Sequence, residues 1–105
     1  MIVHIIYCVF FDPQEYKYKG PPNCYIVGIY SDFLTALKLV CAKQMQEYIE
    51  KEYCIDELPE FPNINDSIET YINYFNTITN QTFQENINHY GMDYYFIESI
   101  KLDHI

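Results

Sequence analysis

A chain of 105 residues with 50% hydrophobic content has apolar material for one core and not two, so residues 1–105 read as one domain. No run approaches the ~18–20 apolar residues of a membrane-spanning helix. The formal charge of -9 and the absence of Arg set the chain against nucleic acid and anionic membrane, which are held by cationic side chains.

Residues 2–11 are rich in β-branched and aromatic side chains and are closed by Asp12-Pro13, the pattern of a largely buried strand. No Lys or Arg precedes the run, and Asp12-Pro13 stands where signal cleavage needs small residues, so it reads as part of the mature protein. Residues 25–30 form a second such run. Pro13, Gly20, Pro21 and Pro22 lie between the two, which predicts a long-looped antiparallel hairpin. Gly28 marks either close packing of the following helix or a bulge.

Ser31-Asp32 offers a helix N-cap with an acid at the first turn. Phe33, Leu34, Leu37, Val40, Cys41, Met45, Tyr48 and Ile49 then recur every three or four residues, one apolar stripe running to about Tyr53. Lys38, Lys43, Gln46, Glu47 and Glu50 occupy the opposite side and predict a wet face. Residues 56–65, with Pro59 and Pro62, are an acidic connector that cannot be helical throughout. Asp66-Ser67 can cap a second, shorter helix lined by Ile68, Tyr71, Ile72 and Phe75. Residues 76–88 are polar and Asn-rich, anchored by Phe83 and Ile87, and read as loop, short helix or both. In residues 94–102, Phe96, Ile100 and Leu102 alternate with Ser99 and Lys101 as in a half-exposed strand whose apolar face is broken by Glu98.

The simplest assembly is an α+β fold of order ββα(α)β. Its three-stranded antiparallel sheet pairs the last strand with the first, with one long and one short helix on one face. Two sheet edges and a Tyr-rich face stay open, which makes a homodimer an expected alternative to a monomer.

Ile, Tyr and Asn supply 35 of the 105 residues, the pattern of an AT-rich coding sequence. Such a bias should also enrich Lys, yet six Lys stand against 15 acids, so the acidity runs against the drift. It is also concentrated. Between positions 47 and 69 lie eight acids and Lys51 alone, a net -7 of the chain's -9. Such a run either solvates a helix end and loop or forms a surface for a basic partner, with Glu47, Glu50, Asp56, Glu57 and Glu60 as its densest members. A second candidate surface is the hairpin tip, where Tyr16 and Tyr18 interleave with Lys17 and Lys19; Tyr offers large contact area at low entropic cost.

Cys8, Cys24, Cys41 and Cys54 show no CxxC and no Cys/His pair at zinc spacing, so no metal or other cofactor is expected. A symmetric hairpin centred on position 16 would set Cys8 opposite Cys24, but nothing indicates export, and free thiols are the expectation. His4, His89 and His104 are scattered, no nucleophile elbow or Gly-rich phosphate loop occurs, and Asp56, Glu57 and Glu60 lack the spacing of a calcium loop. No nucleophile, base and oxyanion donor can be named together, so the chain does not read as an enzyme.

The run Tyr25-Ile26-Val27-Gly28-Ile29-Tyr30-Ser31 entering a helix, and Tyr94-Tyr95-Phe96-Ile97-Glu98-Ser99-Ile100-Lys101-Leu102-Asp103 towards the end, resemble small accessory proteins of phages and large AT-rich DNA viruses. The resemblance implies a virus-encoded accessory role in the host cytoplasm, exercised by binding another protein, and brings no catalytic residues with it. The leading expectation is a protein-binding inhibitor or modulator that sets its acidic segment against a basic partner surface. A self-assembling structural component and a nucleotide- or metabolite-binding domain are the alternatives.

Overall fold

The computed structural model describes residues 1–9, 24–51, 58–87 and 92–102, the side chains of 85–87 excepted. The first apolar run forms strand β1 (Ile2–Val9) and the second forms β2 (Cys24–Tyr30), followed by helices α1 (Phe33–Glu50) and α2 (Ile68–Ile87) and strand β3 (Tyr94–Lys101). The sheet has the order β2-β1-β3 and is antiparallel throughout, so the expected ββα(α)β layout is the one found. The β1–β3 ladder runs unbroken from Ile2 opposite Lys101 to Val9 opposite Tyr94.

The β1–β2 ladder slips by one residue: Ile6 faces Gly28, but Tyr7 faces Ile26, leaving Val27 as the extra residue of a bulge. Gly28 therefore sits at the bulge. A Cβ there would lie 2.7 Å from the Tyr30 hydroxyl, so the residue makes room for the Tyr30 ring and not for the helix. The slip also separates the two hairpin cysteines. Cys8 pairs with Tyr25 and Val9 with Cys24, so the thiols point to opposite faces; both are free, Cys8 buried and Cys24 exposed.

Helix α1 starts where Asp32 Oδ2 accepts hydrogen bonds from the Thr35 backbone N–H at 2.9 Å and the Thr35 hydroxyl at 2.6 Å. The acid expected in the first turn is itself the cap, and these bonds hold its carboxyl below the usual range. The helix lies across all three strands and buries Ala36, Leu37, Val40, Cys41, Gln44, Glu47 and Tyr48. Its wet face is thus rotated from the expected one: Glu47 is inside and Ile49 is 55% exposed.

Helix α2 is longer than α1, with 20 residues against 18, and takes in most of the Asn-rich stretch. Tyr71, Tyr74, Ile78 and Thr82 recur at helical spacing and are its buried stripe, while the expected anchor Phe83 is 55% exposed. Packing against α1 supplies what local propensity lacks: the Tyr48 hydroxyl lies 2.8 Å from Thr82 Oγ1, which donates to the Ile78 carbonyl. The core joins Ile6, Leu37, Val40, Tyr48, Tyr74, Ile78 and Met92, so α2 packs on α1 rather than on the second face of the sheet.

The segment before α2 is tied to both helices. Lys38 Nζ donates to the Ile64 carbonyl at 2.8 Å, the Tyr71 hydroxyl donates to the Asn63 carbonyl at 2.8 Å, and the Phe61 ring meets Tyr74 edge-on at 5.1 Å. Truncation of Ile78 to Ala should cost about 2–5 kcal/mol in denaturant unfolding. Phe83→Ala should cost under about 0.5 kcal/mol. The reverse order would place the other side of α2 against α1.

Candidate protein-binding surface

The acidic segment divides into parts with different fates. Glu50, Glu60 and Glu69 are exposed. Asp66 is half-buried, and its Oδ2 accepts the Asn63 N–H at 2.7 Å. The expected partner-binding residues Asp56, Glu57, Tyr16 and Tyr18 lie outside the described residues. Glu50 ends α1, and the stretch from Lys38 to Glu50 spans about 18 Å at 1.5 Å per residue. Because Lys38 holds the connector at Ile64, the exposed acids are strung along the helix pair rather than gathered at one point.

Glu47 corrects the expectation outright. Its side chain is 5% exposed, and Oε1 accepts the Asp93 backbone N–H at 3.1 Å with Lys51 Nζ at 3.9 Å. One turn earlier, Gln44 Nε2 donates to the Asp93 carbonyl at 3.0 Å and Gln44 Oε1 accepts the Tyr95 N–H at 2.9 Å. Two polar side chains of α1 thus fasten the start of β3 by satisfying its backbone groups. A polar pair three residues apart on a helix gives no sign in sequence of which side it faces, so Gln44 carries no signal there, and Glu47, expected to bind a partner, is instead buried against β3.

Burial pushes the Glu47 carboxyl above its ordinary value of 4.5, with the Asp93 charge adding to the rise while the Asp93 N–H and Lys51 oppose it. A carboxyl raised in the fold favours folding in its protonated form. That contribution is complete below about pH 4.5 and is lost as the pH climbs through the raised value.

Between β1 and β3, His4 Nδ1 lies 2.7 Å from Ser99 Oγ, with the imidazole edge-on to Phe33 at 5.2 Å. It satisfies a ring that the sheet and helix enclose, and position 95 residues apart in the chain hid it from the sequence. Among the described residues no group of three His, Cys, Asp or Glu could hold a metal ion, and no helix is long and apolar enough to cross a membrane.

The feature that the topology creates is the opposite face of the sheet. Strand side chains alternate. His4, Ile6 and Cys8 point to the helices, so Val3, Ile5, Tyr7 and Val9 point away, joined through the registers by Cys24, Ile26 and Ile29 of β2 and by Tyr94, Phe96, Glu98 and Ile100 of β3. Ile26 is 54% exposed, Ile29 59% and Phe96 37%. Ile5 lies at the centre and is buried, yet it is not part of the cluster beneath the helices; its strand neighbours enclose it.

Tyr7 and Phe96 stack with ring centroids 5.0 Å apart at 19°. Desolvation raises the Tyr7 phenol above its ordinary value of 10.0, and the neighbouring Glu98 carboxylate adds to the rise. Glu98 is the one charged side chain that the described strand residues place on this face.

Set against family models, curated proteins and solved structures, the chain matches none.

Glu47→Gln keeps an oxygen for the Asp93 N–H and removes the buried charge. The variant's melting temperature should exceed the parent's at pH 7–8, with the gap closing towards pH 4. A lower melting temperature at pH 7 would mean that the attraction to Lys51 outweighs the cost of burial.

Proposed function

We propose that the chain is a protein-binding accessory protein whose recognition surface is the uncovered face of its sheet. The observation that carries this reading is the arrangement of Ile26, Ile29 and Phe96, exposed together around the Tyr7–Phe96 stack while the only helical layer of the described residues lies on the other side. Solvated apolar faces of this kind on a small chain mark contact sites. In an antiparallel sheet that faced only water, polar side chains would alternate with the buried ones, and here Glu98 alone is charged.

The acid-rich stretch has a different part in this reading. Glu50, Glu60 and Glu69, strung along the helix pair, add to the negative potential that draws a basic partner towards the chain, which acts on the rate of encounter more than on the docked contacts. Accessory binding of this type is what the resemblance to small viral proteins implies. A second reading, self-assembly through the same face, draws on the two open edges that the order β2-β1-β3 leaves on the described sheet.

A photo-crosslinking amino acid placed in turn at Ile29, Phe96, Glu50 and Glu60 tests the assignment in the cell that makes the protein. The expected result is a discrete adduct with another protein from positions 29 and 96 and none from 50 and 60. Adducts between copies of the chain would instead favour self-assembly. Adducts from 50 and 60 alone, or from no position, would overturn the face as the recognition surface.

A further inference from the structure

On the reading that the open sheet face recognises a protein, we infer that its occupant is a single amphipathic helix of a partner whose apolar stripe is interrupted by one Lys or Arg, seated against Glu98.

The size of the face points to one helix. Three strands at about 4.8 Å spacing place the outer two about 10 Å apart, close to the diameter of one helix. The protein already shows the fit on its other face, where the 18 residues of α1 alone reach β1, β2 and β3. A helix of about five turns laid on the open face would cover Ile5, Ile26, Ile29 and Phe96 in the same manner.

The charge points to the side chain. Glu98 stands on β3 between Phe96 and Ile100 on the same face, diagonal to Tyr7 across the β1–β3 ladder. An occupant that was apolar throughout would strip water from this carboxylate and return no compensating charge. Among the described residues no strand places a cationic side chain on the face, so the compensating cation must arrive with the occupant. A second copy of the chain does not supply it: the same face brings another carboxylate, and -9 would meet -9. A basic helix is favoured on both counts, drawn by the overall charge and placed in register by Glu98.

The test is selection of displayed helical peptides of about 20 residues, with every position of one stripe randomised, on the full chain. The selected peptides are then measured on Ile29→Asp, Ile26→Asp and Glu98→Lys variants. All three positions are exposed, and circular dichroism of each variant checks that the fold is kept. The expected peptides carry an apolar stripe with a basic residue at one position, lose binding to Ile29→Asp and Ile26→Asp, and weaken about tenfold when that residue becomes Glu. Glu98→Lys should invert the last preference.

Stripes without a basic position that still depend on Ile29 and Ile26 would overturn the partner chemistry and leave the face standing. So would a dimer in sedimentation that Ile29→Asp dissociates, because the occupant would then be a second copy. Peptides indifferent to both isoleucine variants, or no enrichment at all, would overturn the face itself and the inference with it.

Discussion

Strand β1 is apolar on both sides, and the described chain has a single helical layer to cover it. Ile6 and Cys8 go beneath α1, and because the side-chain period of a strand is two, Ile5, Tyr7 and Val9 must face the other way. The central position of β1 carries this division outwards, since each neighbour inherits its facing from the register. The bulge at Val27 and Gly28 then decides what stands beside what on β2. Helix α2 could have relieved the second face but packs on α1, sealed by Tyr48, Ile78 and Thr82. The open face is the remainder of that arrangement.

The polar contacts of α1 hold the division in place. Gln44 and Glu47 grip the backbone at Asp93 and Tyr95, so the start of β3 is fixed to the helix and its register against β1 follows. This grip costs buried charge at Glu47, which the Asp93 N–H offsets only in part. Glu50, Glu60 and Glu69 stay outside, and a net charge of -9 on each copy opposes the self-association that an apolar face favours.

Much of the fold was legible from residue type and spacing. Pro and Gly bounded the strands, Asp32 announced α1, and the pairing of the last strand with the first followed from the need of a hairpin for a third strand. Facing was not legible. In β3 the alternation of Phe96 and Ile100 was visible, yet it is Tyr95 and Ile97 that turn to the helices, because both sides of the strand are apolar and only the layer of α1 breaks the tie. In α1 the stripe could slide by one position, putting Glu47 in and Ile49 out, because backbone groups 46 residues away satisfy the carboxylate. In α2 the expected Tyr71 faces inward, but Tyr74, Ile78 and Thr82 complete the buried stripe while Ile68 and Phe83 stay exposed. The candidate surface was legible only as an open Tyr-rich face; the acidic residues expected to bind rest on charge, which marks solvation as readily as contact, and the aromatic pair Tyr16 and Tyr18 lies outside the described residues.

An open recognition face requires that one side of the sheet be wet and the other dry. Paramagnetic relaxation of the isoleucine methyl groups by an inert, water-borne agent measures this residue by residue in the intact chain at low concentration. Strong relaxation at Ile26 and Ile29 with protection at Ile6 and Ile78 is the pattern that follows from the structure. Ile6 relaxing as strongly as Ile29, or Ile29 protected as well as Ile6, would contradict it.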